Sequence, residues 1–148
     1  MIDTRDPLVE TLLFCLMPNH VHLLLKPLNK WTIKKICTDL EKYTAHQILK
    51  VLKNKNRIHL LNFFVKQAEN FSDRNHKIWQ DIQAKNCYSE EFLRQKLNYI
   101  HNNPIAKGWN LVKDRKDYKY SSACYYDSDL RIKPIMEVEY LWNYFFGR

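Results

Sequence analysis

At 148 residues, with 45% apolar and 14% aromatic side chains, the chain can bury one core without disulfide staples, and a single domain over residues 1–148 is the expectation. The surplus of 24 Lys and Arg over 16 Asp and Glu gives a formal charge of +8, which suits a polyanion, nucleic acid first, although a merely solvated basic surface fits charge alone equally well. The four cysteines form no CxxC pair and no secreted framework, and the apolar run from Leu12 to Leu25 is broken by Pro18, Asn19, His20 and His22, which excludes a zinc knuckle, a disulfide scaffold, a spanning helix and a cleaved signal, and predicts a cytoplasmic protein with no membrane partner.

Leu8 to Leu16 is apolar and partly β-branched or aromatic, and a second run, Val21 to Leu25, follows Met17-Pro18-Asn19. This predicts a buried strand region with a break at Pro18. A strand alternates faces, so His20 and His22 project from one side and Val21 and Leu23 from the other. Residues 32–53 place apolar side chains at helical spacing behind Thr32 as N-cap. The opposite face is basic, with Lys34, Lys35 and Lys42 the proposed phosphate contacts, although such faces are more often only solvated.

Residues 56–86 lack a clean period and predict irregular chain with a short helix near Leu60 to Ala68. In that stretch Trp79 reads as a packing residue ahead of a base-stacking one. Ser89, followed by Glu90-Glu91-Phe92, has the form of a helix N-cap, and Phe92, Leu93, Lys96, Leu97 and Ile100 continue the helical period. Tyr99 therefore falls near the end of a helix that Pro104 limits, because proline disfavours α geometry at Asn103. Gly108 marks a turn, Ser121 and Ser122 shape another, and the tail carries an apolar cluster from Tyr140 to Phe146.

Two imidazoles on one side of a strand suit a divalent ion, yet an HxH pair alone is a weak signal. One of nine tyrosines has no claim to chemistry without a motif either. The run Met17-Pro18-Asn19-His20-Val21-His22-Leu23-Leu24-Leu25 resembles the histidine motif of IS200-like transposases. Tyr99-Ile100-His101-Asn102-Asn103-Pro104 resembles the tyrosine motif of their REP-associated branch. The likeness continues through Trp79-Gln80, Glu91-Phe92-Leu93, Lys96-Leu97, Lys107-Gly108, Asp117-Tyr118 and Tyr120-Ser121-Ser122-Ala123, roughly residues 12–126.

The resemblance implies a single-tyrosine HUH transposase of α+β fold, an antiparallel sheet with helices and a ferredoxin-like core. It implies His20 and His22 as ligands of magnesium or manganese and Tyr99 as the nucleophile, which forms a 5′-phosphotyrosine link on single-stranded, hairpin-bearing DNA. Asn103, four residues after Tyr99, is the best third ligand, against its equally weighted reading as the N-cap of a new short helix with Pro104 at its first position. His101 and Asn102 fit packing or loop hydrogen bonding. Dimers occur among relatives, and a homodimer is an open expectation; no small-molecule cofactor is implied. Relatives carry a further strand and helix before the histidine motif, so the resemblance also implies either an N-terminally truncated chain or a sheet edge completed differently, for instance by another chain. A truncated remnant that binds hairpins without cutting, and a metal hydrolase that uses water, are the alternatives.

Overall fold

Two strands, β1 (Val9–Leu16) and β2 (Val21–Pro27), pair antiparallel in a computed structural model that describes residues 9–28, 30–80, 82–128, 134 and 136. The break at Pro18 is a hairpin turn. Pro18 and Asn19 form its tip, Met17 N–H donates to the His20 carbonyl at 2.9 Å, and the register runs back through Leu16↔Val21 and Cys15↔His22. Proline suits the tip because its fixed φ matches a turn position and its missing N–H is not needed there. The helices are α1 (Ile33–Asn54), α2 (Ile58–Lys66), α3 (Glu90–Asn102) and α4 (Ala123–Asp127), with short 3₁₀ turns at Asn103–Ile105 and Arg115–Asp117. The fold is α+β, as expected.

The chain divides into two compact units, Met1–Lys30 with Asn86–Arg148, and Trp31–Lys85. In the second unit, Thr32 caps α1 by accepting from Lys35 N–H at 3.3 Å, so the predicted helix start is correct to the residue. The predicted short helix is α2, which begins two residues earlier than the apolar spacing suggested. Trp79 is half-buried, and its Nε1–H donates to Thr44 Oγ1 at 2.9 Å, which ties the irregular stretch to α1.

The first unit holds the hairpin and α3. Leu93, Leu97 and Ile100 stand at i, i+4 and i+7 and pack against Leu12, Leu13, Cys15 and Met17. Burying each of these three helical side chains stabilises the unit by about 1.5–3 kcal/mol, enough to fix the helix on the sheet. Ser89 Oγ accepts from Phe92 N–H at 3.2 Å and starts the helix where the sequence predicts.

The outer edge of β1 is covered by the chain itself. Leu16 N–H donates to the Tyr120 carbonyl at 2.8 Å, Ser122 N–H to the Phe14 carbonyl at 3.0 Å, and Phe14 N–H to Ser122 Oγ at 3.0 Å. The Tyr118 and Tyr126 hydroxyls donate to the Leu16 and Leu12 carbonyls, both at 2.8 Å. Ser121 and Ser122 are thus more than a turn. Both are fully buried, and Ser122, with the Tyr120 carbonyl and the Tyr118 and Tyr126 hydroxyls, satisfies backbone groups of β1. No second chain is required at these groups. The apolar cluster expected at Tyr140 to Phe146 lies outside the described residues.

Candidate active site

The hairpin turn and α3 bring His20, His22, Tyr99 and Asn103 together within one unit. The His20 and His22 rings lie with centroids 4.8 Å apart, and the Tyr99 ring lies 5.4 Å from that of His22 at 77°. His20 precedes β2 rather than lying in it, but the alternation expected from the strand still holds and both imidazoles share one side. Trp109 closes the other flank, its ring 5.8 Å from that of His20.

The environment of His22 favours its neutral form. Asn19 Oδ1 lies 2.6 Å from His20 Nδ1, and since that oxygen only accepts, Nδ1 is the donor in a contact that orients the ring. Burial lowers the His22 pKa first, and the charges of His20 and Lys96 lower it further, against a hydrogen bond to Asn103 that raises it. His22 Nε2 is buried and has no hydrogen-bond partner, an arrangement that costs free energy unless a further group meets that nitrogen.

Asn103 keeps helical geometry, with φ −51° and ψ −45°, which corrects the expectation that Pro104 would push it out of the α region. The reason is that Pro104 enters the first turn of the 3₁₀ segment, where its absent N–H costs nothing, and is itself buried. Asn103 N–H turns to the Ile100 carbonyl, and its Nδ2 takes over the Tyr99 carbonyl at 2.7 Å. Asn103 is therefore the C-cap of α3 by both its amides, not the N-cap of the next turn, which is Asn102, and its side-chain oxygen, directed at His22, takes no part in the capping. The cap role and a ligand role are compatible, not rivals.

A divalent cation fits these residues: two adjacent imidazoles, one with an orphaned nitrogen, and an amide oxygen. Among the described residues no three His, Cys, Asp or Glu side chains cluster, and the polar group beside the pair that could join it as a ligand is the Asn103 amide. The cysteines do not compete. All four are free thiols, and burial raises the pKa of each, that of Cys15 to about 11.

Three stripes run along α3. The apolar one packs on the hairpin; a second, Phe92, Lys96, Tyr99 and Asn103, faces the site; a third, Asn98 and Asn102, is gripped by Arg115. Arg115 Nη1 donates to both amide oxygens at 3.0 Å while Nε and Nη2 hold Asp127 of α4 at 2.6 and 2.8 Å. Sequence reading missed Arg115, Lys96 and Trp109 as neighbours of the site. Lys96 was visible in principle, one helical turn before Tyr99, whereas Arg115 and Trp109 follow from loop paths with no periodic signal.

His101 turns away from the site. It is fully buried, its Nε2 lies 2.8 Å from Ser122 Oγ, and burial pushes its pKa down to about 4. It links the tyrosine helix to the edge-covering segment, the packing use expected for it. Asn102 likewise serves the Arg115 clamp.

The family model described as Transposase IS200 like matches residues 5–103, which include both histidines, Tyr99 and Asn103. The chain belongs to the IS200-like transposase family. As a member it is a transposase-type, DNA-processing protein. No curated protein and no solved structure matches this IS200-like chain. The match stops before the 118–126 segment, so the edge cover described above belongs to the part of the chain beyond it. No described helix is long and apolar enough to cross a membrane.

The lysines proposed from sequence all lie in the other unit, on α1, and are exposed. Lys35 is engaged with Asp39 at 2.6 Å, whereas no carboxylate pairs with Lys34 or Lys42 among the described residues.

Proposed function

We propose that the protein nicks and rejoins single-stranded DNA bearing hairpins, as a REP-associated single-tyrosine transposase, through a covalent 5′-phosphotyrosine intermediate. The observation that carries this reading is the exposed Tyr99 ring lying 5.4 Å from the ring of His22, whose buried Nε2 has no partner. A nucleophile has to be reachable by a bulky substrate, and Tyr99 is 57% exposed while the neighbouring Ile100 and His101 are buried.

In the proposed step the Tyr99 hydroxyl oxygen attacks phosphorus. The new bond joins tyrosine to the 5′-phosphate, the bond from phosphorus to the 3′ oxygen breaks, and the phenolic proton is balanced by the one gained at the 3′-hydroxyl. Phosphodiester bond energy is retained, so a 3′-hydroxyl can later reverse the step and join strands. His20, His22 and Asn103 would hold magnesium or manganese, which supplies Lewis-acid stabilisation of charge on the phosphate oxygens. The protein's own contribution is placement: the Arg115 clamp and the apolar stripe hold α3 so that Tyr99 stands over the histidine pair.

The exposed lysines of α1 supply charge for backbone contacts to the strand. The deciding experiment is covalent capture of labelled hairpin DNA under denaturing conditions, with Tyr99→Phe as control.

A further inference from the structure

Lys96 stands on α3 one turn before Tyr99. Its Nζ lies 5.3 Å from the centre of the Tyr99 ring and 5.1 Å from that of Phe92, and the side chain is half-buried. On the same helix Arg94 is paired with Glu90 at 2.6 Å, yet among the described residues no carboxylate pairs with Lys96. Two aromatic faces offset part of the cost of holding an ammonium out of bulk water, but they do not neutralise its charge. That charge is felt at His22, where it opposes protonation. Nucleophile, imidazole pair and unneutralised cation therefore share one small surface.

We propose that Lys96 is a second catalytic group on this helix, its ammonium binding a non-bridging oxygen of the phosphodiester that Tyr99 attacks. The inference rests on the tyrosine-nucleophile reading and adds the group that meets the anion. A phosphodiester carries one negative charge, and more accumulates on its non-bridging oxygens as the fifth bond to phosphorus forms. A fixed cation beside those oxygens favours the crowded state over the starting one, so its removal slows the step more than it weakens binding. A Lys96 whose stem merely covered Phe92 and Tyr99 would instead be replaceable by any unbranched apolar side chain.

The test uses Lys96→Met, which keeps the stem and removes the charge, and Lys96→Arg, which keeps the charge. At saturating hairpin oligonucleotide, single-turnover adduct formation should slow about a hundredfold in Lys96→Met and recover most of that loss in Lys96→Arg. In a Tyr99→Phe background, where no adduct forms, Lys96→Met should reduce the slope of log affinity against log salt by about 0.7, the loss of one phosphate contact on single-stranded DNA. An adduct rate in Lys96→Met within threefold of wild type overturns the proposal while leaving Tyr99 as nucleophile. If wild type forms no adduct, the tyrosine reading fails by itself; the salt slope then decides, a reduced slope supporting Lys96 as a phosphate ligand and an unchanged one overturning it.

Discussion

The rings of Tyr99 and His22 meet edge-on, with centroids 5.4 Å apart, although one residue comes from a helix and the other from a hairpin distant in sequence. Two local causes produce this. The Pro18–Asn19 turn sets the imidazole pair at the start of β2, and the Leu93, Leu97 and Ile100 stripe seats α3 on the hairpin with Tyr99 on the adjoining face.

If the imidazoles hold a divalent ion, titration of the protein with manganese should give a saturable heat that disappears when His20 and His22 are both changed to alanine. Asn19→Ala, which removes the oxygen orienting His20, should weaken the affinity by about tenfold. An isotherm that survives the double substitution would remove the site.

Much of the fold, and which residues meet at the candidate site, was legible because both are written in local patterns. Thr32 and Ser89 cap their helices as the sequence suggests, and the His20–His22 alternation and the Tyr99 helix are periodic signals. The edge cover was not legible. It depends on Tyr118, Tyr120, Ser122 and Tyr126 meeting β1 backbone groups more than a hundred residues away in sequence, and no spacing rule links such partners. Asn103 was misjudged for a different reason: the bias against helix before proline is averaged over contexts, whereas here a side-chain amide replaces the displaced backbone bond.

His101 should make the fold sensitive to acid. Burial lowers its pKa to about 4 from an ordinary value near 6.5, so the unfolded chain binds the proton more readily than the folded one between these values. The stability it contributes is complete above pH 6.5 and is lost as pH falls towards 4, a change of about 3 kcal/mol. Thermal unfolding of wild type and His101→Gln from pH 7.5 to 4.5 should show the wild type losing more stability. Parallel curves would contradict the buried neutral imidazole.

For DNA binding, Lys34 and Lys42 should matter more than Lys35, whose ammonium is already held by Asp39. Changing Lys34 and Lys42 to glutamine should reduce the salt slope for hairpin single strands by about 1.4, two contacts at roughly 0.7 each, while Lys35→Gln leaves it nearly unchanged. A wild-type slope in the double variant would mean that this face of α1 is only solvated.

The central claim, Tyr99 as nucleophile, is tested most directly by covalent capture. Protein incubated with labelled hairpin single-stranded DNA and magnesium or manganese, then resolved under denaturing conditions, should give a labelled protein band. Tyr99→Phe should abolish that band while binding persists, because only a hydroxyl is removed. An adduct that persists in Tyr99→Phe would contradict the assignment, and a wild-type protein that binds the hairpin yet yields no adduct would contradict cleavage by tyrosine altogether.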